Sequence, residues 1–139
     1  MKIRPYLTFN GTCQEAITLY KRAFNTDVLE LTRFSDIPAN PNFQIPEDFK
    51  DKVLQATMKF GDDFIRLSDC GPGGNLNDPE SERISLAIES SVSEVQYAFG
   101  VLSEEGQVGI PLQETFFSPC HGVVFDKFGV MWNFVANKE

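Results

Sequence analysis

The chain has 139 residues, 42% of them hydrophobic and 23% charged, with a formal net charge of −8. That length and balance fit one folded domain with a real core, and the negative charge argues against general binding to nucleic acid or to a membrane surface, both of which call for a basic face. No apolar run approaches the ~20 residues that span a bilayer, and the opening "MKIRPYLTFNG" lacks the apolar stretch and cleavage site of a signal peptide.

Ile3, Pro5, Leu7 and Phe9 alternate with Arg4, Tyr6 and Thr8, which predicts a strand with one buried face. Asn10 and Gly11 end it. Thr12 and Glu15 have capping-box spacing at the start of a helix, and Ala16, Leu19, Tyr20, Ala23 and Phe24 form its apolar stripe as far as Asn25. A strand is expected over 28–34. A loop punctuated by Pro38, Pro41 and Pro46 follows, and then strands over 53–60 and 64–69. "CGPGGNLNDPES" reads as a linker. The order then recurs: Ile84, Leu86 and Ile88 alternate with Arg83, Ser85 and Ala87, and Ser91 to Glu94 repeats the capping-box spacing. That helix runs to about Ser103. Strands near 108–113, 122–125 and 130–135 complete a second β-α-β-β-β unit. The repeats are placed at 1–70 and 83–139, joined by 71–82, within a single domain. One such half leaves a sheet covered by a helix on one side only, so the two are expected to pair.

Cys13, Cys70 and Cys120 are odd in number and have no CxxC spacing, which disfavours a disulfide framework or a zinc cluster and fits a cytoplasmic protein. Cys13 falls in the first turn of a helix, where partial positive charge favours thiolate. Cys120 adjoins His121, whose imidazolium could lower a thiol pKa, but neighbouring strand residues point to opposite faces. A small, half-buried side chain is the plainer reading of both cysteines.

"PYLTFNGTCQEAITLYKRAF", "DIPANP", "LSDCGPG" and "PLQETFFSPCHGVVFDKFGVMWNF" together resemble the vicinal oxygen chelate (glyoxalase/bleomycin-resistance/dioxygenase) superfamily. Within it the chain is most similar to the PhnB-like proteins, also labelled 3-demethylubiquinone methyltransferase-like. The resemblance covers essentially the whole chain. It implies an α+β fold in which two βαβββ repeats form a curved, partly open mixed-sheet barrel with helices outside. It also implies a homodimer. It does not imply one reaction, since the superfamily includes isomerases, dioxygenases, thiol transferases and binding proteins. The methyltransferase label finds no Gly-rich strand-to-helix turn that could hold an adenosine cofactor, and no cofactor is expected.

Metal-dependent members hold a cation at inward positions on the first and fourth strands of each repeat. By strand phase the resemblance carries these onto Arg4, Arg83, Arg66 and Asn133. Guanidinium stays protonated and only donates, so no metal is expected there. Arginines gathered in one concavity would instead bind carboxylate, phosphonate or phosphate through paired hydrogen bonds. The plainer alternative pairs each arginine with an acidic neighbour such as Asp62, Asp63, Glu80 or Glu82, or leaves it on a wet sheet face. Tyr6, Gln113, Phe116 and Asn133 are further ligand-binding candidates. His121 and Glu114 are the candidate proton-transfer residues, although a strand-end histidine and a solvated carboxylate are the commoner roles. Trp132 and Phe134 are assigned to the core by phase, and Asp126–Gly129 to a tight turn. The resulting expectation is a metal-free binder of a small, anionic molecule. A glyoxalase-like lyase, isomerase or dioxygenase with a metal, a metal-free proton-transfer enzyme, and a purely structural dimer stand as alternatives. The loop from Ser35 to Lys50, with Phe43, Ile45 and Phe49, is expected to make dimer contacts.

Overall fold

The computed structural model describes residues 3–38, 44–70 and 84–138. The first half runs β1 (Tyr6–Phe9), α1 (Cys13–Phe24), β2 (Val28–Arg33), β3 (Val53–Phe60) and β4 (Asp63–Asp69). The second runs β5 (Leu86–Ser90), α2 (Val92–Ser103), β6 (Gln107–Gln113), β7 (His121–Phe125) and β8 (Met131–Ala136). The strands form two four-stranded mixed sheets, ordered β1-β4-β3-β2 and β5-β8-β7-β6. In each, the first strand lies parallel to the fourth and the other pairings are antiparallel. The α+β class and the twofold β-α-β-β-β order are therefore as the sequence predicts. By contacts the chain divides into two compact units, Met1–Lys21 with Asn25–Asn77, and Arg22–Phe24 with Asp78–Glu139.

In the first unit the pleat separates a buried face from an open one. Leu67 pairs with Ala56, and Ile65 with Met58, and all four are buried. Ala16, Ile17 and Tyr20 of α1 are buried too, as the 3.6-residue stripe requires. Asn25 closes the helix in the left-handed conformation at φ 49°, a role asparagine tolerates. The expected capping box at Thr12 does not form: its side chain makes no cap hydrogen bond. The start of the helix is closed from β4 instead. The Cys13 amide donates to Asp69 Oδ1 at 2.9 Å, and the Val53 amide donates to Asp69 Oδ2 at 2.9 Å. A carboxylate that is 4% exposed thus ties the helix to the first residue of β3. The alternation also over-reaches at Ile3, which is 91% exposed; on this strand Leu7 is half-buried and Phe9 is the first buried residue. Within the loop, Phe49 packs edge-on against buried Phe34 at 5.6 Å, while Phe43 falls outside the described residues.

The second unit caps its helix locally. Ser91 Oγ accepts from the Glu94 amide at 3.2 Å, as its sequence spacing predicts. Val95, Ala98, Phe99, Val101 and Leu102 are buried under α2. Trp132 and Phe134 are core, and Phe24, which clusters with this unit, lies 5.0 Å from the Trp132 ring. Asp126 organises the β7–β8 turn. Its carboxylate accepts from the Phe128 and Val130 amides and from Trp132 Nε1, while Gly129 takes φ +86°. Ile84 is 78% exposed and precedes β5, so the predicted alternation there starts two residues too early. The linker at 71–82 lies outside the described residues.

Candidate functional site

On the open face of the first sheet the register aligns one row across all four strands. Tyr6 pairs with Arg66, Arg66 with Thr57, and Thr57 with Glu30. Paired residues share a face of the pleat, so these four side chains project together. Two residues before Tyr6, Arg4 sets its guanidinium 5.0 Å from the centre of the Phe64 ring. Arg4, Arg66, Thr57, Glu30, Phe64 and Leu29 line a cleft of about 270 Å³. Neither guanidinium has a carboxylate at ion-pair distance among the described residues, so of the plainer alternatives pairing with Asp62 or Asp63 is absent and a solvated sheet face is left. Glu30 likewise has no cationic partner there; the Thr57 hydroxyl donates to its Oε1 at 3.2 Å.

Arg83 lies outside the described residues, as do Glu80 and Glu82. Sheet register also bears on its equivalence to Arg4. Tyr6 faces Arg66 and Ala87 faces Asn133, so the second-unit counterpart of Arg4 is Ser85, two residues beyond Arg83.

The second unit gathers a different group. Gln113 pairs with His121 across β6 and β7, and His121 Nε2 lies 3.0 Å from Asn133 Oδ1. A proton on Nε2 makes this contact a hydrogen bond to the carbonyl oxygen, and in that tautomer Nδ1 is the acceptor. Phe117 meets the imidazole edge-on at 5.0 Å, and Phe116, 92% exposed, packs on Phe117 at 5.2 Å. Glu114 is exposed beside Gln113. Among the described residues no three His, Cys, Asp or Glu side chains are grouped as metal ligands.

Both candidate thiols are suppressed. Burial, and then the Asp69 carboxylate, push Cys13 from its ordinary 9.0 up to about 12, overriding the helix-start effect expected to favour thiolate. Burial raises the Cys120 pKa as well, and no lowering by His121 contributes.

Glu30, Thr57, Phe64 and Leu29 are cleft residues that strand phase did not single out. Thr57 and Phe64 alternate with buried neighbours and were in principle readable. Glu30 was not, because a register shift between Val28 and Glu30 breaks the alternation of β2.

A family model described as 3-demethylubiquinone-9 3-methyltransferase matches residues 1–135. Protein YjdN of Escherichia coli strain K12 is 30% identical over 139 residues, which cover 95% of this chain and 92% of that protein. Protein PA1353 from Pseudomonas aeruginosa is 29% identical with a TM-score of 0.81, over 100% of this chain and 99% of its own. The PhnB protein from Bacillus cereus is similar in fold, with a TM-score of 0.76 at 24% identity over 99% of this chain and 100% of its own.

Proposed function

Because the chain belongs to the 3-demethylubiquinone-9 3-methyltransferase-like, PhnB-like family of the vicinal oxygen chelate fold, we propose that it binds a small anionic molecule without a metal. The anion sits against Arg4 and Arg66. The observation that carries this reading is two guanidiniums in one cleft with no described carboxylate at ion-pair distance from either. Guanidinium pairs fit carboxylate and phosphate through two parallel hydrogen bonds, and Phe64 and Leu29 supply an apolar wall for the rest of the ligand.

A divalent cation does not fit the residues at the positions where metal-dependent relatives hold one. Arg4 and Arg66 offer only donors, and Asn133 directs its amide oxygen to His121. A methyltransferase reading lacks a Gly-rich strand-to-helix turn, since the β1–α1 connection carries Gly11 alone.

Binding is tested by calorimetry with inorganic phosphate and small carboxylates. Charge-assisted hydrogen bonds contribute ~1.5–3 kcal/mol, so Arg66→Ala is expected to weaken binding roughly 10- to 100-fold. Affinities unchanged in both Arg4→Ala and Arg66→Ala would sink the proposal.

A second reading, metal-free proton transfer, is favoured by the open Nδ1 of His121 beside Gln113. It requires a substrate whose turnover is lost in His121→Gln. We also propose a homodimer, supported by the apolar exposure of Val108, Ile110 and Phe116, and a cytoplasmic location, which suits the free cysteines.

A further inference from the structure

The cleft of the first unit is not uniformly positive. Arg4 and Arg66 stand at one end and Glu30 at the other, with Thr57 between Arg66 and Glu30 in the cross-strand row. β4 and β2 flank β3, so the backbones of Arg66 and Glu30 are two strand spacings apart, about 10 Å, before their side chains reach inward. Opposite charges therefore share one cleft without forming an ion pair with each other. Thr57 is only 8% exposed, and its hydroxyl engages one Glu30 oxygen while leaving the other open.

A bare anion docked on the arginines would face the Glu30 carboxylate as a like charge. A cationic group on the same molecule turns that repulsion into a second anchor. From this arrangement we infer that the cleft selects a small zwitterion: a carboxylate or phosphate held by Arg4 and Arg66, joined through a few carbons to an ammonium group received by Glu30. The inference rests on the anion reading above and adds the ligand's second charge.

The test compares matched pairs by calorimetry on the full chain: 4-aminobutyrate against butyrate, and 2-aminoethyl phosphate against ethyl phosphate. The amino compound of each pair is expected to bind about two- to fivefold more tightly, the gain of one partly exposed ion pair. Glu30→Gln is expected to bring that ratio to about one while the plain anions bind as well as before or better. Thr57→Val, which frees the Glu30 carboxylate to wander, should reduce the ratio part-way. Thermal melts of both variants check that the fold is intact. A wild-type chain that prefers the plain anion, or a preference that survives Glu30→Gln, overturns the inference. If Arg66→Ala weakens every probe but the wild-type ratio is one, only the zwitterion fails. If Arg66→Ala changes nothing, or no probe binds at millimolar concentration, the anion reading fails with it.

Discussion

Asp69 offers the sharpest test of how the first unit is held. Its carboxylate, 4% exposed, accepts the Cys13 and Val53 amides, each at 2.9 Å. Asp69→Asn keeps one acceptor oxygen but turns an NH2 group towards the other amide, leaving a buried donor without a partner at ~1–3 kcal/mol. The surviving bond also loses its charge assistance, adding about 0.5–1 kcal/mol. The expected total is about 2–4 kcal/mol, a large share of the ~5–15 kcal/mol that holds a typical domain together. For a chain of this size that corresponds to a fall in Tm of roughly 6–16 °C. Urea unfolding followed by far-UV circular dichroism measures it, with exposed Asp62→Asn as a control expected within about ±0.5 kcal/mol. Emission from Trp132, the sole tryptophan and 1% exposed, reports the second unit in the same samples. A loss below about 1 kcal/mol for Asp69→Asn would refute the reasoning, because a buried amide cannot lose its acceptor so cheaply.

Gly106→Ala should destabilise by at least about 2–4 kcal/mol or prevent folding, since the new Cβ would sit 2.2 Å from the Phe125 carbonyl oxygen and 2.6 Å from that of Leu102. Both are backbone atoms that cannot swing aside, and a soluble variant of wild-type stability would contradict the close approach. Cys13 makes stability fall at alkaline pH. Its thiol ionises near 9.0 when unfolded and near 12 when folded, so its contribution is intact below pH 9 and is lost as pH rises through 12. Cys13→Ala is expected to flatten that decline, and an unchanged pH profile in the variant counts against the shift. Sedimentation at micromolar concentration should give a dimer; a monomer would remove the role proposed for Val108, Ile110 and Phe116.

What could be read from the sequence, and what could not, divides by range. Strict alternation put Arg66 on the open face and Trp132 and Phe134 in the core, because β4 and β8 pair without irregularity. The Asp126 turn was legible because Phe128, Val130 and Trp132, which donate to its carboxylate, lie within six residues. Glu30 was hidden by a register shift that only the partner strand reveals, and β6 carries two such shifts. The cap on α1 was misread for a related reason. Thr12 and Glu15 have the right spacing, but the acceptor that seals the helix is 56 residues away. Strand phase, carried over from the resemblance, set Arg4 and Arg83 as equivalents, whereas pairing with the fourth strands matches Arg4 to Ser85.

The two helices thus mature on different schedules. The second carries its own seal one turn away, in Ser91. The first must wait for a residue translated 56 positions later. On a nascent chain the Cys13 amide therefore has no Asp69 to donate to until the fourth strand has been made.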